Sequence, residues 1–175
     1  RGGALDPVAL VEGALLLGQA PGLAALEIAG SFVTLDATAP VRVALTGAPM
    51  RATLDGAPIA WNASHAMPAG ARLDLGASPG GVSYVHLGGG IDTPQVLGSR
   101  SVHLTAGIGQ MVAADDVLPV GRDTGTRTGM TLTPLARFDG GVLQLVETPQ
   151  TALFSPAQPA RFTDTRFSTD ARGNR

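Results

Sequence analysis

The sequence predicts a mainly β fold, either a sandwich or a closed barrel, opened by one helix. Short β-prone runs recur with turn residues between them roughly every eight to twelve positions, a spacing that suits sandwiches and barrels and not alternating β-α units. Asp55-Gly56, between two such runs, is a strong hairpin signal. The N-terminal stretch near residues 7–17 carries both a helix start and a helix stop.

That helix is expected to start at Asp6-Pro7, where the aspartate can cap the free first-turn amides and proline suits the first helical position. Val8, Val11, Leu15 and the adjacent Leu16 form an apolar stripe, and Gly18 supplies the stop. Strands are expected at Ala24–Ile28 and Phe32–Leu35 around Gly30-Ser31, then at Val41–Thr46 ending on Gly47. Ala52–Leu54 and Ile59–Trp61 follow, separated by Asp55-Gly56-Ala57-Pro58; Ser64–Met67, Arg72–Leu75 and Val82–Leu87 continue the series, and Asp116–Val120 closes it. Residues 1–120 are therefore expected to be a first β domain. Residues 121–130, polar and rich in Gly and Thr without apolar periodicity, read as a linker. Residues 131–175 read as the start of a second domain, with a new element at Val142–Val146 and helical turns at Gln150–Phe154 and Ala157–Phe162. The abrupt entry at Arg1-Gly2-Gly3 and the polar close of the chain lead us to expect a fragment whose first domain lacks its N-terminal edge.

Composition narrows the function. A formal charge of −2 argues against a nucleic-acid or anionic-membrane surface. All 12 basic residues are arginine, so there is no Schiff-base lysine and no biotin attachment point. The absence of cysteine removes disulfides, thiolate nucleophiles and zinc–cysteine sites. No segment is apolar enough to span a bilayer and none opens as a secretion signal, so a soluble, cytoplasmic protein is expected.

The chemistry-bearing stretch is Tyr84–Leu104, YVHLGGGIDTPQVLGSRSVHL. Consecutive glycines cost backbone entropy and suit a sharp turn or a close approach by another backbone or a ligand. Gly88–Gly90 lacks the strand-to-helix setting and the GK[ST] of a phosphate loop. Arg100, between Ser99 and Ser101, either grips a carboxylate or amide-derived oxyanion through its fork or bonds carbonyls of its own turn. Ser99 and Ser101 either donate to an anion or cap the turn. His103 lies one strand alternation from Ser101, as an acid–base group or a structural residue. Asp92 either starts the Asp-Thr-Pro turn or contacts a ligand. The candidate catalytic residues are Arg100, Ser99 and His103. The candidate substrate-binding residues are Gly89, Gly90, Asp92 and Ser101. His86 and His65 read as packing residues, Trp61 as a core or rim anchor, and the scattered histidines give no metal site.

The ordered pieces Gly3-Ala4-Leu5-Asp6-Pro7, Ala25-Leu26-Glu27, Ala44–Ala48, Gly88–Asp92, Leu97–Ser101, Ala106–Gly109 and Asp116–Pro119 resemble the biotin-dependent carboxyltransferase family. That family includes allophanate hydrolase subunit 2, the KipA protein and the C subunit of 5-oxoprolinase, and is related to urea amidolyase. The resemblance departs at Gln110–Asp115, which is shorter than the family's segment, and its members are longer chains. It implies a pair of cyclophilin-like β-barrels working beside a partner subunit of related fold, such as allophanate hydrolase subunit 1 or a KipI-like protein. It also implies that ATP or carboxybiotin serves the assembled enzyme without being bound by this chain. Two function classes follow. One is a subunit of an ATP-dependent amide hydrolase or carboxyltransferase acting on 5-oxoproline, allophanate or urea-like amides. The other is a KipA-type regulator that antagonises a kinase inhibitor.

Overall fold

The structure is a computed structural model that describes residues 3–77, 80–133, 136–138, 142 and 145–166. It divides into two compact units, Arg1–Leu135 and Ala136–Arg175.

The first unit is mainly β. Helix α1 (Pro7–Leu17) precedes β1 (Leu26–Ala29), β2 (Val33–Asp36), β3 (Val41–Gly47), β4 (Ala52–Leu54), β5 (Ala57–Pro58), β6 (Ala63–Met67), β7 (Arg72–Leu75) and β8 (Val82–Leu87). These strands build two four-stranded sheets, in the orders β1-β8-β3-β6 and β2-β7-β4-β5. Every named pairing is antiparallel. Among the described residues no strand pairing joins one sheet to the other, so the fold seen is a two-sheet sandwich and not a closed barrel. Val43, Leu45 and Val85 from the first sheet meet Leu73, Leu75 and Ala52 from the second in the main core.

Helix α1 covers the other face of the first sheet, which buries its central strands on both sides. β3 is buried from Arg42 onward and β8 from Val82 to His86, while β7 alternates between core and solvent. A strand covered on one face alternates; one covered on both reads as a continuous run.

The ends of α1 follow from local chemistry. Asp6 Oδ1 accepts from the amides of Val8 and Ala9, Pro7 opens the first turn, and Gly18 closes the helix at φ +61°. Its orientation differs from expectation. Val8, Val11 and Leu15 are exposed, and the buried face is Ala9, Gly13, Ala14, Leu16 and Leu17. The helix is apolar nearly all round, so periodicity does not choose a face; close approach of small residues does. A Cβ on Gly13 would sit 2.2 Å from the His86 ring. His86 is buried there, its Nε2–H donating to Thr46 Oγ1 (2.8 Å), which donates in turn to the Ala9 carbonyl (2.9 Å).

Other expectations shift locally. The hairpin turns tightly on Asp55 (φ +49°) and Gly56 (φ +79°), so Ala57-Pro58 pairs with β4 and Ile59–Trp61 forms no strand. Pro58 is tolerated because β5 is an edge strand. Trp61 packs against the main core and donates its indole N–H to the Gly47 carbonyl. Asp116–Val120 makes only an isolated bridge, Val120 to Ile91. Residues 121–130 are not a spacer: Gly121 N donates to Gly90 O and Gly129 N to Ser64 O, and the boundary between units falls after Leu135.

The second unit contains a 3₁₀ turn at Pro149–Leu153 and helix α2 at Ala157–Asp164, matching the helical turns expected there. Neither buries a residue. Among its described residues there is no strand, and the expected element at Val142–Val146 includes positions outside the described residues. Among the described residues no helix is long and apolar enough to cross a membrane.

Candidate functional site

Strand β8 runs out at Leu87 into Gly88–Gly90, and the amides of all three glycines are already used. Gly88 N donates to Arg42 O (2.8 Å), Gly89 N to Gln19 Oε1 (3.0 Å) and Gly90 N to Leu87 O (2.8 Å). The N–H groups of this loop are therefore turned onto the chain itself. The reason for the glycines is close approach. A Cβ on Gly88 would lie 2.0 Å from Asp123 Oδ2, and one on Gly89, at φ +87°, would lie 2.2 Å from the Gly121 carbonyl oxygen. The triple glycine is a seat for residues 121–125.

Arg42 locks that seat. This buried arginine points from β3 toward the end of α1, where Nε and Nη2 grip Asp123 Oδ2 and Oδ1 at 2.8 and 2.6 Å. Its Nη1 donates to the carbonyls of Leu17 and Arg127, both at 2.8 Å. Their mutual hydrogen bonds hold the Asp123 carboxyl below the usual carboxylate range and the Arg42 guanidinium above its own. Gly125 N adds a further bond to Asp123 Oδ1 (2.9 Å). Beside this pair, Gln19, Leu23, Gly89, Arg122, Asp123 and Thr124 help to line a cavity of about 250 Å³.

Residues 92–108 form a separate excursion that satisfies itself. Arg100 Nη2 donates to Asp92 Oδ1, and its Nε donates to the Thr93 carbonyl (2.6 Å). Val96 and Ser99 exchange both backbone bonds around Leu97 (φ +53°) and Gly98 (φ +74°), the positive-φ pattern of a tight hairpin turn. Ser99 Oγ accepts from Ser101 N (3.0 Å). His103 Nδ1 accepts from Ala106 N (3.2 Å), capping the 3₁₀ turn Leu104–Ala106.

Of the residues singled out in the sequence, the structure thus brings Asp92 to Arg100 and Ser99 to Ser101, while Gly89 alone among them lines the cavity. Gly90 carries the bond to Gly121 and packs against Leu23. His103 and Arg100 are not hydrogen-bonded to each other. Sequence reasoning missed Arg42, Asp123, Gln19 and Arg122. One signal was available: Arg42 is a charge inside a run that otherwise reads as a buried strand, and such a charge demands a partner.

Comparison with known proteins identifies the family. The family described as carboxyltransferase domain, subdomain A and B, matches residues 1–175. The chain belongs to that family. Among relatives of this carboxyltransferase-family protein, the C subunit of 5-oxoprolinase from Escherichia coli strain K12 is 38% identical over 125 residues, 69% of this chain and 40% of that protein. The chain therefore spans well under two thirds of that relative's length. The crystal structure of TTHA0988 superimposes with a TM-score of 0.79 at 29% identity, covering 86% of this chain and 57% of that one. The urea amidolyase of Kluyveromyces lactis gives 0.63 at 25% identity, over 74% of this chain and 8% of that one.

Proposed function

We propose that this chain is part of an enzyme subunit that works on a small amide with a partner subunit of related fold, as an ATP-dependent hydrolase of 5-oxoproline or an allophanate-like compound. The observation that carries the reading is the 38% identity to the C subunit of a 5-oxoprolinase. The outer face of α1 supports it. Leu5, Val8, Val11 and Leu15 leave an apolar strip in solvent, the kind of surface that contacts between subunits cover. ATP or carboxybiotin would be supplied by the rest of the assembly, since this chain has no lysine and the Gly88–Gly90 amides face inward. In this reading the 88–103 segment borders the substrate or the partner. Arg100 keeps the loop ordered through Asp92 and Thr93 and turns its remaining donors toward a carboxylate or oxyanion, with Ser99, Ser101 and His103 beside it. Carboxyl transfer from carboxybiotin is a second reading, favoured by the likeness to urea amidolyase.

The test is purification of the chain with its native partners, followed by assays of 5-oxoproline and allophanate opening with and without ATP, and of biotin-dependent carboxylation. ATP-dependent amide opening supports the first reading, and carboxylation without it favours the second. Neither activity, together with capture of a kinase inhibitor, would replace both with the KipA-type regulatory role.

A further inference from the structure

We propose that the cavity beside Gly89 is a binding site for a small monocarboxylate, gripped by Arg122. The inference rests on the cavity itself and holds whichever reaction the assembly performs.

The cavity's charge balance carries the argument. Asp123 lines it, but both carboxylate oxygens are taken, Oδ2 by Arg42 Nε and Oδ1 by Arg42 Nη2 and Gly125 N. The Gln19 amide is spent as well, its Nε2 on the Leu87 carbonyl and its Oε1 on Gly89 N. The C-terminus of α1 points its negative end this way, yet those carbonyls are also engaged. Gly18 N and Gln19 N cap Leu15 and Ala14, and Arg42 Nη1 caps Leu17. The Asp123 carboxylate, the Gln19 side-chain oxygen and the Ala14, Leu15 and Leu17 carbonyls therefore each have a donor.

What remains is Arg122. Arg42, Arg72 and Arg100 are each held by an aspartate, and Arg122 is in none of those pairs. Arg122 lines a cavity whose other charged residue, Asp123, is paired with Arg42, so one positive charge is left over there, on a planar fork suited to a carboxylate. Thr124 and Leu23 also line the cavity, the one carrying a hydroxyl and the other an apolar side chain. At about 250 Å³ the space falls below the roughly 300–1,000 Å³ of drug-sized pockets, so the ligand is small. One arginine matches a monoanion better than a phosphate dianion. The site is also preorganised, because Gly88 and Gly89 admit no side chain between its walls.

The experiment is a titration of the ¹⁵N-labelled chain with sodium acetate, read at the Gly89 and Gly125 amides and at Arg122 Nε, with acetamide and sodium chloride as controls. Saturable shifts with acetate alone are expected. Affinity should fall at least tenfold in Arg122→Gln, and several-fold in Arg122→Lys, which keeps the charge but loses the fork. Arg122 is exposed, so both variants should melt within a few degrees of the parent. The proposal is overturned if no shift saturates, if chloride or acetamide reproduces the shifts, or if both Arg122 variants bind acetate as the parent does.

Discussion

Arg42 meets Asp123 across 81 residues of sequence, whereas Arg100 meets Asp92 across 8. Both pairs adjoin a glycine-containing turn and both link an arginine to an aspartate, the first through both arms of the fork and the second through one, yet their surroundings differ further. The Arg42 and Asp123 side chains are 9% and 25% exposed; those of Arg100 and Asp92 are 25% and 62% exposed. The first pair ties β3, the end of α1 and the 121–127 segment into one body. The second closes a local loop. An Arg–Asp pair near glycines thus does not say what it does; the sequence separation it spans and the solvent it has lost do.

The largest expected effect comes from breaking the first pair. Arg42→Ala strands Asp123 and frees the Leu17 and Arg127 carbonyls, and loss of one partner of a buried pair costs about 3–5 kcal/mol. Asp123 keeps some solvent contact, so the low end is expected in urea denaturation. Arg42→Met should be milder than Arg42→Ala when combined with Asp123→Leu, since no charge is then left without a partner.

Acid should act on the same layer through His86. Burial pushes its pKa down to about 4 from an ordinary 6.5. The unfolded chain therefore binds the proton more readily, and stability rises with pH across that interval. It is complete above pH 6.5 and declines as pH falls toward 4, by up to about 3 kcal/mol. Denaturation midpoints measured across this range should show the decline, and His86→Gln should flatten it.

Gly13→Ala should reverse the usual sign of that substitution. In an exposed helix it stabilises by about 1 kcal/mol; here the new methyl meets the His86 ring and should cost about 1–3 kcal/mol. Thermal melts of the single variant decide the sign.

The smallest effect should come from the second pair. Arg100→Ala removes an ion pair whose aspartate is mostly exposed, worth at most about 1 kcal/mol. In the proposed enzyme assembly, kcat/KM measured beside the melting temperature separates a substrate contact from a turn contact. With a substrate contact Arg100→Lys loses activity nearly as Arg100→Ala does, while both stay folded.

The legible parts of the fold were those set by local chemistry. Asp6, Pro7 and Gly18 bound α1, Asp55-Gly56 turns the hairpin, and the β-prone runs Val41–Thr46 and Val82–Leu87 mark β3 and β8. The buried face of α1 was not legible, because Val8, Val11 and Leu15 are as apolar as Leu16 and Leu17. Nor was the seat beneath Gly88–Gly90. What packs on those glycines arrives from residues 121–125, whose Gly and Thr content reads as a linker until Asp123 is seen to meet Arg42. The excursion is legible in a different sense: Ser99, Arg100 and His103 look chemically active in sequence, and in the structure their side chains also bond within their own turns.

Native-state hydrogen exchange compares the two regions most directly. Gly88, Ile91 and Gly121 donate their amides within the locked seat, and Ser99, Ser101 and His103 donate theirs within the excursion. The first three should exchange only through openings close in free energy to global unfolding, and the last three through small local openings. Equal protection in both sets, or greater protection in the excursion, would contradict the view that the Arg42–Asp123 seat is the rigid centre of this molecule.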